Sequence, residues 1–233
     1  ADLHYYLGNL HHEARDLDQA VECFQKALAL QPSHAPAHQS LAIAHANLGA
    51  NLQAQGKFDA ATAAYRRALE LRPNHAQAHC SLAAVFHAQG RLTDSIQSYQ
   101  TALSLQPDFT VAWVNLGNVF QDQGALPNAI DSYRAAIALE PTIAEAHNNL
   151  ATALQAQGKL SDAVTSYEKA VELKANYAEA HCNLGTVLAA LSDNSAAITR
   201  YRLAISMAPD YADAHSNLGN LLQSCGQLGA AHA

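Results

Sequence analysis

Residues 144–160 read AEAHNNLATALQAQGKL, and this phrase decides the fold because it recurs along the chain. AEAHCNLGTVLAAL begins at Ala178, and ADAHSNLGNLL begins at Ala212, so the three copies are equally spaced. The same step separates the tyrosines Tyr65, Tyr99, Tyr133, Tyr167 and Tyr201. A fixed period of this length is typical of a protein built from stacked repeats.

Each repeat contains two helical halves. The first half places Ala146, Leu150 and Ala153 three and four residues apart, which predicts an amphipathic helix. A glycine suited to a left-handed C-cap follows it at Gly56, Gly90, Gly124, Gly158 and Gly226. The second half carries alanines around the tyrosine and stops at a proline. No segment alternates with a period of two, so the predicted fold is all-α.

The start of each second helix is also predicted from residue type. Three residues after the turn stand N-cap types, namely Asp18, Asp59, Thr93, Ser161 and Ser195. In the fourth repeat the same place holds Pro127, which suits the first turn of a helix.

The chain is predicted to form a single solenoid over residues 1–233, with about six and a half helix-turn-helix repeats. The predicted repeats are 1–34, 35–75, 76–109, 110–143, 144–177, 178–211 and a partial repeat, 212–233. Solenoids need polar capping helices. Because the last repeat stops at Ala233 inside its expected second helix, we expect either a fragment of a longer protein or self-association through uncapped ends.

The second repeat contains seven extra residues, because its phrase occurs twice, as AHQSLA from Ala37 and AHANLG from Ala44. Seven residues make nearly two turns, so they lengthen a helix by about 10 Å while turning its buried stripe by about 20°. We therefore predict one long helix from Ala35 to Gln55. The insertion is either a ledge for a partner or a tolerated insertion without a role.

The repeats resemble the tetratricopeptide repeat (TPR) family. The residues that carry this resemblance are Leu116, Gly117, Ala129, Tyr133, Ala136 and Pro141, and their pattern covers essentially the whole chain. The family often has a tryptophan at the fourth place of the repeat, where only Trp113 stands here and the other repeats have histidine. The resemblance implies a right-handed superhelix with the first helices lining its concave side.

Polar residues recur at the places of the first helix that are expected to face this groove. The sixth place has Asn115, Asn149, Asn183 and Asn217, the ninth has Asn118 and Asn220, and the second has Glu145, Glu179 and Asp213. An amide offers both a donor and an acceptor, matching the backbone of an extended peptide. These residues are therefore the candidate peptide-binding site. The alternative is that the amides bond between neighbouring repeats or only keep the surface soluble.

Within the family, the arrangement is most similar to the repeats that precede the catalytic region of O-linked N-acetylglucosamine transferases. That resemblance implies an asparagine ladder with acidic companions that holds substrate polypeptides, and it makes a substrate-recruiting arm the alternative function. The glycosyltransferase region itself is absent. The other known mode, the carboxylate clamp of heat-shock co-chaperones, needs Lys and Arg on first helices, and all thirteen lie elsewhere.

Composition excludes several other functions. The formal net charge is −7, and the expected binding face lacks cations, so nucleic acid is not an expected partner. No apolar run is long enough to span a membrane. Four widely spaced cysteines predict a reducing, cytoplasmic location. No nucleophile–base pair or phosphate loop appears, so the chain is predicted to be neither an enzyme nor a cofactor-binding protein.

Thirteen histidines raise the question of a metal site. The recurring ones are His4, His38, His79, His147, His181 and His215, one in each repeat except the fourth. Neighbouring helices lie about 8–10 Å apart, so these rings cannot share one ion, and no metal is expected. We interpret them as packing residues with satisfied rings, which could titrate near pH 6.5 and loosen the stack in acid.

Overall fold

The computed structural model describes the backbone of residues 1–231 and the side chains of residues 1–226. Over these residues the chain forms thirteen helices and no strand, which confirms the predicted all-α fold. The helices are α1 Asp2–Glu13, α2 Leu17–Leu30, α3 Ala35–Ala54, α4 Phe58–Leu71, α5 Ala76–Ala88, α6 Leu92–Leu105, α7 Thr110–Asp122, α8 Leu126–Leu139, α9 Ala144–Ala156, α10 Leu160–Leu173, α11 Ala178–Ala190, α12 Asn194–Met207 and α13 Ala212–Ala231. Odd-numbered helices are the first helices of the repeats, and even-numbered helices are the second.

The chain divides into two compact units. The N-terminal unit is Ala1–Val119 and the C-terminal unit is Phe120–Ala233, so the boundary falls inside α7. The core of the N-terminal unit includes clusters around Phe24 and Tyr65, and that of the C-terminal unit includes a cluster around Tyr201.

Each core depends on close approach between the two helices of a repeat. A Cβ atom added at Gly185 would lie 2.8 Å from Cε1 of Tyr201, and one at Gly49 would lie 2.9 Å from Cδ1 of Tyr65. The rings therefore pack directly on the backbone of the first helix. The recurring tyrosines are fully buried for this reason, with exposed fractions of 3% or less.

Glycines in the left-handed region end most first helices, as predicted. Gly56, Gly90, Gly124 and Gly158 have φ between 72° and 80°. Arg15 and Ser192 adopt the same conformation in the repeats that lack a glycine at this place.

The predicted cap at Gly226 is wrong, because α13 continues through it to Ala231. A glycine permits a left-handed turn but does not impose one. The reversal is stabilised by a second helix folding back on the first, and no second helix follows Gly226 within the described residues.

The predicted N-caps of the second helices are wrong by two residues. Those helices begin at Leu17, Phe58, Leu92, Leu160 and Asn194, so Asp18, Asp59, Thr93, Ser161 and Ser195 lie in their first turns. Two of the observed N-caps use a side chain: Asp16 accepts from the Gln19 N–H and Asp193 from the Ala196 N–H. Four of these five helices begin with an apolar residue, and in α2 that residue, Leu17, is buried, so packing accounts for the earlier start there. Pro127 lies in the first turn of α8, as predicted.

The long helix predicted for the second repeat is present. α3 has 20 residues, whereas α5, α9 and α11 have 13. Its N-terminal half contributes Leu41 and Ala44 to the cluster around Phe24 of α2, and its C-terminal half places Gly49 against Tyr65 of α4. The insertion therefore staggers these two packing sites along one helix.

Candidate functional site

The second, sixth and ninth places of the first helices form a polar surface, which we call the amide face. In the C-terminal unit it consists of Glu145, Asn149 and Thr152 on α9, Glu179, Asn183 and Thr186 on α11, and Asp213, Asn217 and Asn220 on α13. In the N-terminal unit its predicted amides are Asn115 and Asn118 on α7. The three carboxylates and Asn220 are exposed, and the other five asparagines are half-buried.

Two of the half-buried amides, Asn183 and Asn217, are held by the preceding first helix. Asn183 Nδ2 lies 3.5 Å from Oδ1 of Asn148, and Asn217 Nδ2 lies 3.4 Å from Oγ1 of Thr186 and 3.8 Å from Sγ of Cys182. These contacts provide the link between neighbouring repeats that the sequence left open as an alternative role. They also fix the direction of these two amides, because among the described residues each nitrogen bonds the preceding first helix and the oxygen does not.

Asn148 is a polar residue of this face that the sequence reasoning missed. It is only 1% exposed and occupies the fifth place, where α5 has Cys80 and α11 has Cys182. Its Nδ2 donates to Asn149 Oδ1 at 3.3 Å and to Glu179 Oε1 at 3.4 Å. The double asparagine in the quoted phrase was the available signal, since the other copies have one asparagine there.

The buried tyrosines reach the amide face with their hydroxyl groups. Tyr167 donates to Gln155 Oε1 at 3.1 Å and lies 3.0 Å from Oγ1 of Thr152. Tyr201 donates to Oγ1 of Thr186 at 3.2 Å. Burial raises the pKa of Tyr167 to about 12, so the hydroxyl stays protonated and acts as a donor.

The same arrangement occurs in the N-terminal unit with different partners. Tyr65 donates to Gln53 Oε1 at 3.1 Å and is hydrogen-bonded to Ser81, while Tyr99 is hydrogen-bonded to Asn115. The sixth-place residue of one repeat therefore contacts the tyrosine of the repeat before it.

Two open cavities adjoin the long helix α3 in the N-terminal unit. One, of about 390 Å³, lies towards the end of α1 and includes His12, Glu13 and Arg15 in its lining. The other, of about 360 Å³, lies towards α5. They share Asn47 and Ala50, so a groove crosses α3 at these residues.

The recurring histidines replace the family's tryptophan by making the same hydrogen bond. Trp113 Nε1 donates to the carbonyl of Pro107 at 3.0 Å. The ring Nε2 of His38, His79, His147 and His215 lies 2.8–3.0 Å from the carbonyl of the proline six residues before each ring. These four rings are therefore satisfied, as predicted, but His38 and His215 are exposed and so are not the packing residues that we expected. His181 also bonds the backbone of Ala175 but is nearly buried, with 5% exposure.

The positive charges avoid the first helices, as predicted. All thirteen Lys and Arg residues lie in turns or in even-numbered helices. The amide face in the C-terminal unit therefore carries only negative formal charges.

The described residues offer little for catalysis or metal binding. Over this part of the chain, no group of three or more His, Cys, Asp or Glu side chains is placed to hold a metal ion. All four cysteines are free thiols, and burial raises the pKa of Cys80 to about 11, which keeps it unreactive. None of the helices, as far as they are described, combines the length and hydrophobicity needed to cross a bilayer.

Family models match almost the whole chain. Two models described as tetratricopeptide repeat match residues 1–74 and 47–108, and a third, described as TPR repeat, matches residues 117–158, 153–192 and 187–226. No curated protein matches the chain.

Solved structures share the fold. YrrB, described as a TPR protein with an unusual peptide-binding site, is 22% identical with a TM-score of 0.68, over 84% of this chain and 97% of that one. MamA is 24% identical with a TM-score of 0.65, over 68% of this chain and 93% of that one. PilF of Pseudomonas aeruginosa is 19% identical with a TM-score of 0.67, over 94% and 96%. These likenesses indicate an all-α helical solenoid.

Proposed function

Because this chain belongs to the tetratricopeptide repeat family, we propose that it is a non-catalytic scaffold that binds an extended polypeptide segment along the amide face. A related fold, YrrB, is described as having a peptide-binding site, which supports the proposal only through the shared architecture.

One observation carries it: the amides of Asn183 and Asn217 are held in one direction by bonds from their nitrogens. An asparagine in a helix normally loses side-chain freedom when it binds a ligand, and this cost is reduced when the side chain is already fixed. The oxygens are then preorganised acceptors for the N–H groups of a peptide. The same fixed geometry serves the inter-repeat contacts, so one amide has both roles.

The spacing of the first helices also suits a peptide. Packed helices lie about 8–10 Å apart and an extended chain advances about 3.3 Å per residue, so successive repeats meet every third residue. Contacts with backbone groups do not depend on side-chain identity. We therefore expect broad recognition of extended segments, with the exposed Glu179 and Asp213 disfavouring acidic residues beside them.

The test uses a library of unstructured peptides displayed on phage, selected against the protein. We expect selected peptides to bind the triple variant Asn149→Ala, Asn183→Ala, Asn217→Ala at least about tenfold more weakly, because each lost hydrogen bond is worth about 0.5–1.5 kcal/mol. The matched control makes the same change to alanine at the exposed amides Asn128 and Asn176, which lie outside the first helices. We expect it to keep its affinity for the peptides.

Three results would contradict the proposal. It is wrong if the library yields no binding peptide, if the triple variant keeps full affinity, or if the control variant loses as much affinity as the triple variant. Circular dichroism of each variant must show unchanged helix content for the comparison to count.

A narrower alternative is that the amide face recruits substrates for a glycosyltransferase similar to O-linked N-acetylglucosamine transferases. The matches are to the repeat family in general, and they favour no particular enzyme within it. This alternative, the cytoplasmic location and self-association stay hypotheses. Sequencing the gene beyond Ala233 would test the first by showing whether it encodes a nucleotide-sugar-binding region.

A further inference from the structure

The proposed function of the amide face does not use the cavity between α3 and α5 in the N-terminal unit. Its volume is about 360 Å³, enough for one or two side chains. Its lining includes Ala46 and Ala50 of α3, Arg72 and His75 of the turn before α5, and Gln77 and Ser81 of α5.

Two small residues of α3 line the cavity, and one of them, Ala46, stands where every other first helix has a larger residue. Gly49 and Gly185 both face a buried tyrosine, which sets the register between α3 and α11. In this register Ala46 corresponds to Cys182, and Ala50 corresponds to Thr186. The side chains missing at Ala46 and Ala50 leave the space open.

The turn that follows α4 forms one wall of the cavity. The extra turns of α3 run beside the end of α4, where Leu71 packs against the cluster that contains Leu41. The next residue, Arg72, is half-buried and lines the cavity, and so does His75. The turn after α4 thus places a cation beside the first helices α3 and α5, although no first helix carries one.

The lining favours an anionic group. Arg72 is its charged residue, and no carboxylate among the described residues lines the cavity. The Nδ1 atom of His75 is buried and has no hydrogen-bond partner in the described part of the chain. Gln77 Nε2 donates to Ser81 Oγ at 3.5 Å, which leaves the second N–H of that amide to face a ligand.

We propose that this cavity binds the carboxylate of an aspartate or glutamate side chain in the polypeptide that lies along the first helices. Arg72 supplies the charge, and His75 and Gln77 supply further hydrogen bonds. The proposal rests on the proposed function, because the acidic residue belongs to the same bound segment. It differs from the carboxylate clamp, whose cations lie on first helices.

The test measures the binding of a selected peptide that contains one acidic residue, and of the same peptide with that residue changed to glutamine or asparagine. We expect the amide form to bind at least about tenfold more weakly to the unmodified protein, because a charge-assisted bond is lost. With Arg72→Gln the acidic and amide forms should bind equally. The matched control, Arg66→Gln, removes an exposed cation of α4 outside the cavity and should keep the preference.

A second variant tests the cavity without removing charge. Ala46→Asn with Ala50→Thr installs the pair that α9 has at Asn148 and Thr152, so the variant is expected to fold. It should abolish the acidic preference while peptides that lack an acidic residue still bind.

The outcomes separate the two proposals. If peptides bind but show no acidic preference, or keep it in both variants, the cavity proposal is wrong and the scaffold proposal stands. If no peptide binds at all, both proposals are wrong.

Discussion

The two units of this protein use the same repeat to make different surfaces. In the N-terminal unit Ala46 and Ala50 leave an open cavity beside a cation, Arg72. In the C-terminal unit Asn148 fills the corresponding place and bonds to Asn149, Asn183 and Glu179. A repeat therefore fixes the packing of its helices but leaves the fifth and ninth places free to set the chemistry of the exposed face.

The largest expected effect is the loss of a buried tyrosine in either unit. Tyr167→Ala and Tyr65→Ala should each destabilise the fold by about 3–5 kcal/mol, because each ring is almost completely buried. Urea denaturation followed by circular dichroism measures this. If one variant loses less than about 1 kcal/mol of unfolding free energy and the other does not, the two cores are not built alike. Tyr→Phe variants would separate the contribution of the ring from that of the hydrogen bond made by its hydroxyl group.

A smaller effect is expected from Asn148→Ala. The change removes a side chain that is only 1% exposed, together with its bonds to half-buried Asn183 and exposed Glu179, at a cost of about 1–3 kcal/mol. Asn148→Val is the control, because Val114 occupies the same place in α7 and restores the volume. If Asn148→Val is as stable as the wild type, the hydrogen bonds of Asn148 add nothing to stability. Asn148 and Ala46 would then differ in their effect only through side-chain volume.

The contact between Gly185 and Tyr201 predicts that two glycine-to-alanine variants change stability in opposite directions. Gly185→Ala should cost about 1–2 kcal/mol, because its Cβ would lie 2.8 Å from the Tyr201 ring. Alanine at this place in α5 and α9 limits the strain. The matched control, Gly219→Ala, meets no atom within 4 Å and should stabilise α13 by up to about 1 kcal/mol. Thermal melts that rank the two variants in the opposite order would contradict this packing.

The smallest effect concerns pH. Burial lowers the pKa of His181, with Arg200 nearby adding to the shift and a backbone bond to Ala175 opposing it. The folded state then prefers neutral His181, so its contribution is complete above about pH 6.5 and is lost as pH falls below that value. We expect wild-type stability to fall more between pH 7.5 and 5.5 than that of His181→Gln.

The N-terminal unit should behave similarly through His45 and His75, whose pKa values burial also lowers. His215→Gln is the control, because that ring is exposed and donates to Pro209. Superimposable stability curves at the two pH values would exclude any such effect.

Much of the fold followed from the pattern of the sequence. The constant period, the alanine and leucine spacing and the turn glycines predicted the helices, and the doubled phrase predicted the length of α3. The errors were local. Asp18 and its equivalents lie in the first turns of their helices, and Gly226 lies within one, because both boundaries depend on packing with a neighbouring helix.

The candidate site was less predictable. Residue type placed Asn183 and Asn217 on one face, but it could not show that their nitrogens bond the preceding helix. It also overlooked Asn148 and Arg72, whose roles depend on contacts between residues that lie far apart in the sequence.

The sequence by itself determined that this chain is a stack of helical pairs, because helix periodicity and turn chemistry are local properties of each repeated phrase. Only the tertiary structure decided which polar atoms are already bonded and where a cavity opens. The physical reason is that hydrogen bonds and packing between repeats depend on distances that no single phrase contains.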